Sequence, residues 1–207
     1  KEKRIGFCPF AVLGDPTTPA CLARIKKYLE AKPDFLELGI PFSDPVADGP
    51  VIQAADERAL KNGMTPKKAI ALVKKIRQTR HDVPIGILTY SNIILQYGTP
   101  KFYRDLKKVG ADSILIADVP LEEIAPFARE ARKRRVHQIF LVSEYTDVNR
   151  LKQIEKIGSG FLYLVSILGI TGARQKLSSS ATALVKKFKK RTKLPLVVGF
   201  GISHPKH

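Results

Sequence analysis

Seven short apolar runs, separated by helical patterns, constrain the fold of this chain more than any other feature. The runs cover residues 5–13, 35–40, 85–90, 113–117, 138–142, 161–166 and 195–200. Each is mostly apolar without strict alternation, the pattern of strands buried on both faces of a parallel sheet. Helical periodicity fills 19–31, 65–78, 100–109, 121–134, 147–157 and 181–191. Pro66 and Pro100 suit the first turn of a helix, where a missing N–H costs nothing. Thr65 and Thr99 precede them and suit N-caps. Strand–helix alternation of this kind gives βαβ crossovers and a parallel sheet.

Two parallel-sheet architectures compete. A doubly wound sheet that binds a dinucleotide carries a glycine-rich turn after its first strand. Here that strand ends in Leu13-Gly14-Asp15-Pro16, which is not that turn. The even spacing, roughly 25–30 residues per unit, favours an α/β TIM (β/α)8 barrel. Only seven strands are present for its eight, and a barrel left open would expose unpaired edges. The expectation is a single domain over residues 1–207, incomplete at its C-terminal end.

Composition narrows the function classes. Hydrophobic residues make up 44% of the chain, a globular value, and no apolar run reaches the length of a membrane span. The start of the chain lacks the apolar core and cleavage site of a secretory signal. Cys8 and Cys21 have no ligand motif around them and read as free thiols in a reducing cytoplasm. His81, His137, His204 and His207 show no metal spacing. The net charge of +17 raises the question of polyanions. Its lysines and arginines are spread over several helices, without interleaved aromatics or a nucleic-acid motif, so solvated outer faces are expected instead.

The densest chemistry lies in residues 36–50, Leu-Glu-Leu-Gly-Ile-Pro-Phe-Ser-Asp-Pro-Val-Ala-Asp-Gly-Pro. Glu37 falls inside a strand, between leucines and on the opposite face from them. A carboxylate there is costly unless it is paired or functional. Burial raises its pKa and lets it give and take protons near neutrality. Placement toward the C-terminal end of a barrel strand favours catalysis over a structural role. Asp44 and Asp48 follow on a proline- and glycine-restrained loop, where a functional carboxylate and a plain turn residue are both open readings.

Residues 37–53, with Pro-Phe-Ser-Asp-Pro and Ala-Asp-Gly-Pro, resemble the signature of the tryptophan synthase α-subunit family. Other stretches agree in order: Phe10 through Leu13-Gly14-Asp15-Pro16, Ile85-Gly86-Ile87-Leu88-Thr89-Tyr90, Ile116-Ala117-Asp118-Val119-Pro120, Tyr163-Leu164-Val165-Ser166 and Gly199-Phe200-Gly201-Ile202. The resemblance spans essentially the whole chain.

That resemblance implies a TIM-barrel lyase that cleaves indole-3-glycerol phosphate to indole and glyceraldehyde 3-phosphate. It implies Glu37 as general acid–base, Asp48 as its partner at the indole N–H, and Tyr163 as the active-site tyrosine. Phe10, Ile52, Leu88, Tyr90, Leu115 and Ala117 would line the indole pocket, although each is equally at home as ordinary core. Thr171 would open a lid over residues 172–180 and reach Asp48 on closure; Gly172 and Gly201 would offer backbone N–H groups to phosphate. It implies no cofactor in this chain. Pyridoxal phosphate would belong to a β-subunit partner in an α2β2 assembly, in the cytoplasm, with no role for membrane or nucleic acid. Two departures stand out: the glycine-serine phosphate loop after an eighth strand is missing, and Ile167 stands where many relatives carry Arg. A non-catalytic chain that binds a β-subunit, and polyanion binding, are the competing classes.

Overall fold

The computed structural model describes residues 5–165 and 179–199, and Thr171, Gly172 and Gly201 lie outside that range. Seven strands form among the described residues: β1 Phe10–Val12, β2 Leu36–Gly39, β3 Ile85–Thr89, β4 Ser113–Ile116, β5 His137–Ser143, β6 Leu162–Val165 and β7 Leu196–Gly199. They pair in chain order, each parallel to the next. The helices are α1 Thr18–Glu30, α2 Pro50–Lys61, α3 Pro66–Thr79, α4 Ser91–Tyr97, α5 Thr99–Lys108, α6 Ala125–Arg134, α7 Val148–Ile157 and α8 Ser179–Lys189, with a 3-10 turn at Leu121–Glu123.

The sheet is rolled, and one contact measures it. Four strand spacings separate β2 from β6, roughly 19 Å in a flat sheet. Yet the Tyr163 hydroxyl of β6 lies 3.3 Å from the Glu37 carboxylate of β2. Below that pair, the rings of Phe35 and Phe161 meet edge to face, 5.2 Å between centroids. Side chains therefore divide by the two-residue period of a strand. Leu36, Leu38, Ile85, Ile87, Ile114 and Ile116 point outward into the large core beneath the helices. Leu115, Ile139 and Tyr163 form a second cluster, packed by Leu88, Leu141, Phe161 and Val197. These residues and Glu37 occupy the alternate, inward positions of their strands.

Helix starts follow the prolines. Thr65 caps α3 by accepting the Lys68 N–H, and Pro66 sits in the first turn. Asp147 caps α7 in the same way, accepting from the Arg150 N–H. Thr99 does not cap α5. Gly98 holds that position at φ 89, and Thr99 is already helical. The expected helix over 121–134 is split, because Pro126 begins a fresh first turn after the 3-10 segment. Two helices were not anticipated. In α2 the buried face holds the small residues Ala55 and Ala59 beside Asp56, which weakens the apolar period. In α4 seven residues are too few to display one.

The basic charge lies outside. Lys67, Lys68, Lys74, Lys75, Arg129, Arg132, Lys133 and Arg135 are exposed. Arg77 is half-buried instead, turned into the seam between α3 and the starts of β3 and β4. Its guanidinium donates to Gly110 O and Asp112 Oδ2 at 2.7 Å and to Val83 O at 2.7 Å. Asp112 in turn accepts the Ile85 N–H at 2.8 Å. Removing this hub strands several half-buried acceptors, so Arg77→Ala is expected to lower unfolding free energy by about 3 kcal/mol in urea titration.

Candidate active site

Glu37 is the second of the four residues of β2, aligned with Phe10 on β1 and Gly86 on β3. It therefore sits deeper in the barrel than a place at the strand's C-terminal end would give. Its 4% exposure leaves the carboxylate almost without water. Burial pushes its pKa up to about 7; the Tyr163 hydrogen bond opposes the rise, and the charge of Asp48 adds to it. Burial also holds the Tyr163 hydroxyl well above its ordinary value, with the Glu37 charge adding to the shift, so the phenol stays protonated and donates. The same environment pushes the Cys8 thiol up, by burial first and then by the Glu37 charge. A thiol in that state is a packing group and not a nucleophile.

Room for the tyrosine comes from Gly199 on β7. A Cβ built there would lie 1.9 Å from Cε1 of the Tyr163 ring, so the backbone of β7 passes where any side chain would collide. Gly39 on β2 plays the same part for Phe10, whose ring would lie 2.8 Å from an added Cβ.

Asp48 is carried by the loop between β2 and α2 and is 6% exposed. The loop folds on its own prolines. The Asp48 N–H donates to Pro45 O at 2.9 Å, and Gln53 Nε2 donates to Asp48 O at 2.7 Å. Pro50 starts α2 at once, with Gly49 as its N-cap. The Asp48 carboxylate accepts the Tyr90 hydroxyl at 2.7 Å, and that hydroxyl accepts the Ala47 N–H at 3.2 Å. Phe42 stacks on the Tyr90 ring, with centroids 5.1 Å apart. Burial raises the Asp48 pKa and the Tyr90 bond restrains it. Asp44 is different: it accepts from its neighbour Ser43 on the exposed side of the loop and takes no part in this cluster.

The structure thus brings Glu37, Asp48 and Tyr163 into one electrostatic unit. Phe10, Leu88 and Ile52 are half-buried, and Phe10 is aligned with Glu37 on the neighbouring strand. Leu88 is aligned with Leu115 on β4. Leu115 and Ala117 also border a cavity of about 100 Å³, but its other walls include Leu121, Ile124, Phe140 and Ile154 of the outer core, and neither Glu37 nor Asp48 lines it. Tyr90, expected as a pocket wall, is 1% exposed and serves as the hydrogen-bond donor to Asp48. Sequence reasoning missed the parts played by Phe42, Gln53 and Gly199. Only the helix hidden in residues 50–61 could have pointed to Gln53, placed one turn past the Asp48 loop. Among the described residues, no group of three or more His, Cys, Asp or Glu could hold a metal ion.

A carboxylate with a raised pKa binds its proton more tightly in the folded state. Between the ordinary value of 4.5 and about 7, the native protein holds more protons than the unfolded chain. Stability from this group is therefore full below pH 4.5 and lost as pH rises through 7. Glu37→Gln keeps an acceptor for Tyr163 and removes the charge. It is expected to be more stable than the parent at pH 8, by on the order of 3 kcal/mol, with the gap closing toward pH 4.5 in paired melts.

Comparison with known proteins agrees with this geometry along the full length. The family model described as tryptophan synthase alpha chain matches residues 1–207. The tryptophan synthase alpha chain of Methanothermobacter thermautotrophicus is 44% identical over 201 residues, covering 97% of this chain and 74% of that one. The Shigella dysenteriae alpha chain is 45% identical over 206 residues, covering 99% and 77%. Among solved structures, a chain of the tryptophan synthase a2b2 complex of Pyrococcus furiosus superposes at TM-score 0.88 with 37% identity, covering 98% of this chain and 81% of that one. The alpha chain of Legionella pneumophila gives TM-score 0.88 at 34% identity, covering 97% and 73%. With a matching family model, close relatives and a shared TIM-barrel fold, this chain belongs to the tryptophan synthase alpha chain family.

Proposed function

We propose that Glu37 is the general acid–base and Asp48 the electrostatic partner in the family's lyase reaction, cleavage of indole-3-glycerol phosphate to indole and glyceraldehyde 3-phosphate. The observation that carries this reading is a fully enclosed carboxylate poised near pH 7 beside a second, oriented one. Indole C3 takes a proton from Glu37, and the ring becomes an indolenine-like cation. The carboxylate so formed then accepts the proton of the glycerol hydroxyl. The carbon–carbon bond breaks, its electrons restore the aromatic ring, and the hydroxyl carbon leaves as the aldehyde. Asp48 accepts the indole N–H and stabilises the positive charge that develops there. Tyr163 donates to Glu37 and keeps it aimed.

Phe10, Ile52, Leu88, Leu115 and Ala117 supply the apolar wall that an indole needs, and Tyr90 backs it. Thr171, Gly172 and Gly201 keep their assignment to the lid and the phosphate on resemblance. No cofactor is required in this chain, since every step above is a proton transfer or a bond cleavage driven by it. The partner is a tryptophan synthase β-subunit, which holds pyridoxal phosphate, in an α2β2 assembly of the kind named for the Pyrococcus furiosus complex. Val46, Val51 and Leu95 are exposed after the adjacent strands β2 and β3 and offer apolar surface at the rim of the site. Cys8 and Cys21 are free thiols, as a reducing compartment keeps them, and the assigned place is the cytoplasm.

The test is indole release from indole-3-glycerol phosphate, with a β-subunit present. Glu37→Gln and Asp48→Asn are each expected to lower kcat by about 10² to 10⁴ while the proteins stay folded. Folded variants that keep parental kcat would overturn the assignment.

A further inference from the structure

The run Ile116-Ala117-Asp118-Val119-Pro120 closes β4, and its aspartate has no part in the chemistry so far. Pairing between β3 and β4 runs on to the end of β3, where the Ala117 N–H donates to Thr89 O at 3.0 Å. The next residue, Asp118, turns its carboxylate onto the chain that leaves β3. Its Oδ1 accepts the Ser91 N–H at 2.8 Å, and its Oδ2 accepts the Ser91 hydroxyl at 2.7 Å. The start of a helix is ordinarily held by the side chain of the residue before it. In α4 that residue is Tyr90, which makes no such bond. Asp118 supplies the acceptor from the neighbouring strand's loop instead. With two charge-assisted bonds to one residue, it fixes both the main chain and the side chain of Ser91.

What this clamp holds is Tyr90. β3 ends at Thr89 and α4 begins at Ser91, so Tyr90 is the single link between them. Its ring is buried and stacked on Phe42. Its hydroxyl donates to Asp48 Oδ2 at 2.7 Å and accepts the Ala47 N–H at 3.2 Å. That hydroxyl lies at the far end of a rigid ring, so a displacement of the Tyr90 main chain is carried through to the oxygen that meets Asp48. We propose that Asp118 is a positioning residue: by clamping Ser91 it fixes the main chain of Tyr90, and through the Tyr90 hydroxyl it orients Asp48. Every joint of this path is a hydrogen bond or a covalent bond. The inference rests on the assignment of Asp48 as the group that meets the indole N–H.

Asp118→Ala removes both acceptors, Asp118→Asn keeps the size and one acceptor oxygen, and Ser91→Ala removes the hydroxyl bond alone. kcat and KM for indole release are measured for all three beside Asp48→Asn, at saturating β-subunit, together with amide hydrogen exchange at Ala47. Asp118→Ala is also made in a Tyr90→Phe background, which lacks the hydroxyl through which the clamp acts. A misaligned Asp48 loses an interaction made in the transition state. Asp118→Ala should therefore lower kcat on the order of tenfold, and Ser91→Ala about threefold, with little change in KM. Ala47 exchange should quicken in both, and Asp118→Asn should recover most of the kcat. In the Tyr90→Phe background, adding Asp118→Ala should change kcat by less than about twofold. Parental kcat in a folded Asp118→Ala, or its full loss of kcat repeated in the Tyr90→Phe background, would overturn the proposal and leave Asp118 as a support of α4 alone. Should Asp118→Ala not fold, parental kcat and parental Ala47 exchange in Ser91→Ala would overturn it equally. Undiminished kcat in Asp48→Asn would overturn the underlying assignment as well; an impaired Asp48→Asn beside an unaffected Asp118→Ala would overturn the positioning role alone.

Discussion

The hydrogen bond from Tyr163 to Glu37 is the contact on which the rest of the site depends. It joins β2 to β6 across the interior, so it exists only because the sheet is rolled. The rolled sheet in turn excludes water from Glu37, and exclusion is what lifts this carboxylate to about 7. The glycines on the inner face serve the same arrangement. Gly199 lets the backbone of β7 approach the tyrosine ring, and Gly39 does so for Phe10. Shape, packing and proton affinity are thus consequences of one closure.

The second carboxylate is handled differently. Asp48 rides on a loop, and a loop gives orientation only when its own hydrogen bonds are complete. Pro45, Gln53 and Tyr90 complete them, and α2 starts immediately after the loop to anchor its far end. The two acids also sit in different surroundings, Glu37 in a strand and Asp48 on a loop. Burial lifts Glu37 to about 7, where it can change protonation state near neutrality; burial raises Asp48 as well, with the Tyr90 hydroxyl at 2.7 Å restraining the rise. The fold bears a stability cost for both, which the outward core of leucines and isoleucines offsets.

Much of this was legible in the residues. Runs of apolar residues without alternation fixed the parallel order of the strands, because double-sided burial leaves that imprint. The isolated Glu37 between Leu36 and Leu38 stood out as an inward charge for the same reason. Other features left no local mark. Asp56 and Gln53 lie on a helix whose buried face is alanine, so its period is faint beside the loop motif that precedes it. Phe42 acts through a ring stacked on Tyr90, a partner that sequence spacing does not reveal. The family resemblance puts Tyr90 at the pocket, and only the folded loop shows that its hydroxyl goes to Asp48. Thr99 looked like a cap, but Gly98, with its positive φ, ends α4 and opens α5 in a single residue.

The most direct test of the account is the titration of Glu37 itself, by carboxyl-carbon NMR in the parent and in Tyr163→Phe. The account predicts a midpoint of about 7 in the parent, with burial as the main cause. It also predicts a higher midpoint once the Tyr163 bond, which favours the charged form, is removed. A Glu37 that titrates near its ordinary 4.5, indifferent to Tyr163, would mean that the barrel does not seal this carboxylate from water, and the acid–base role built on it would fall.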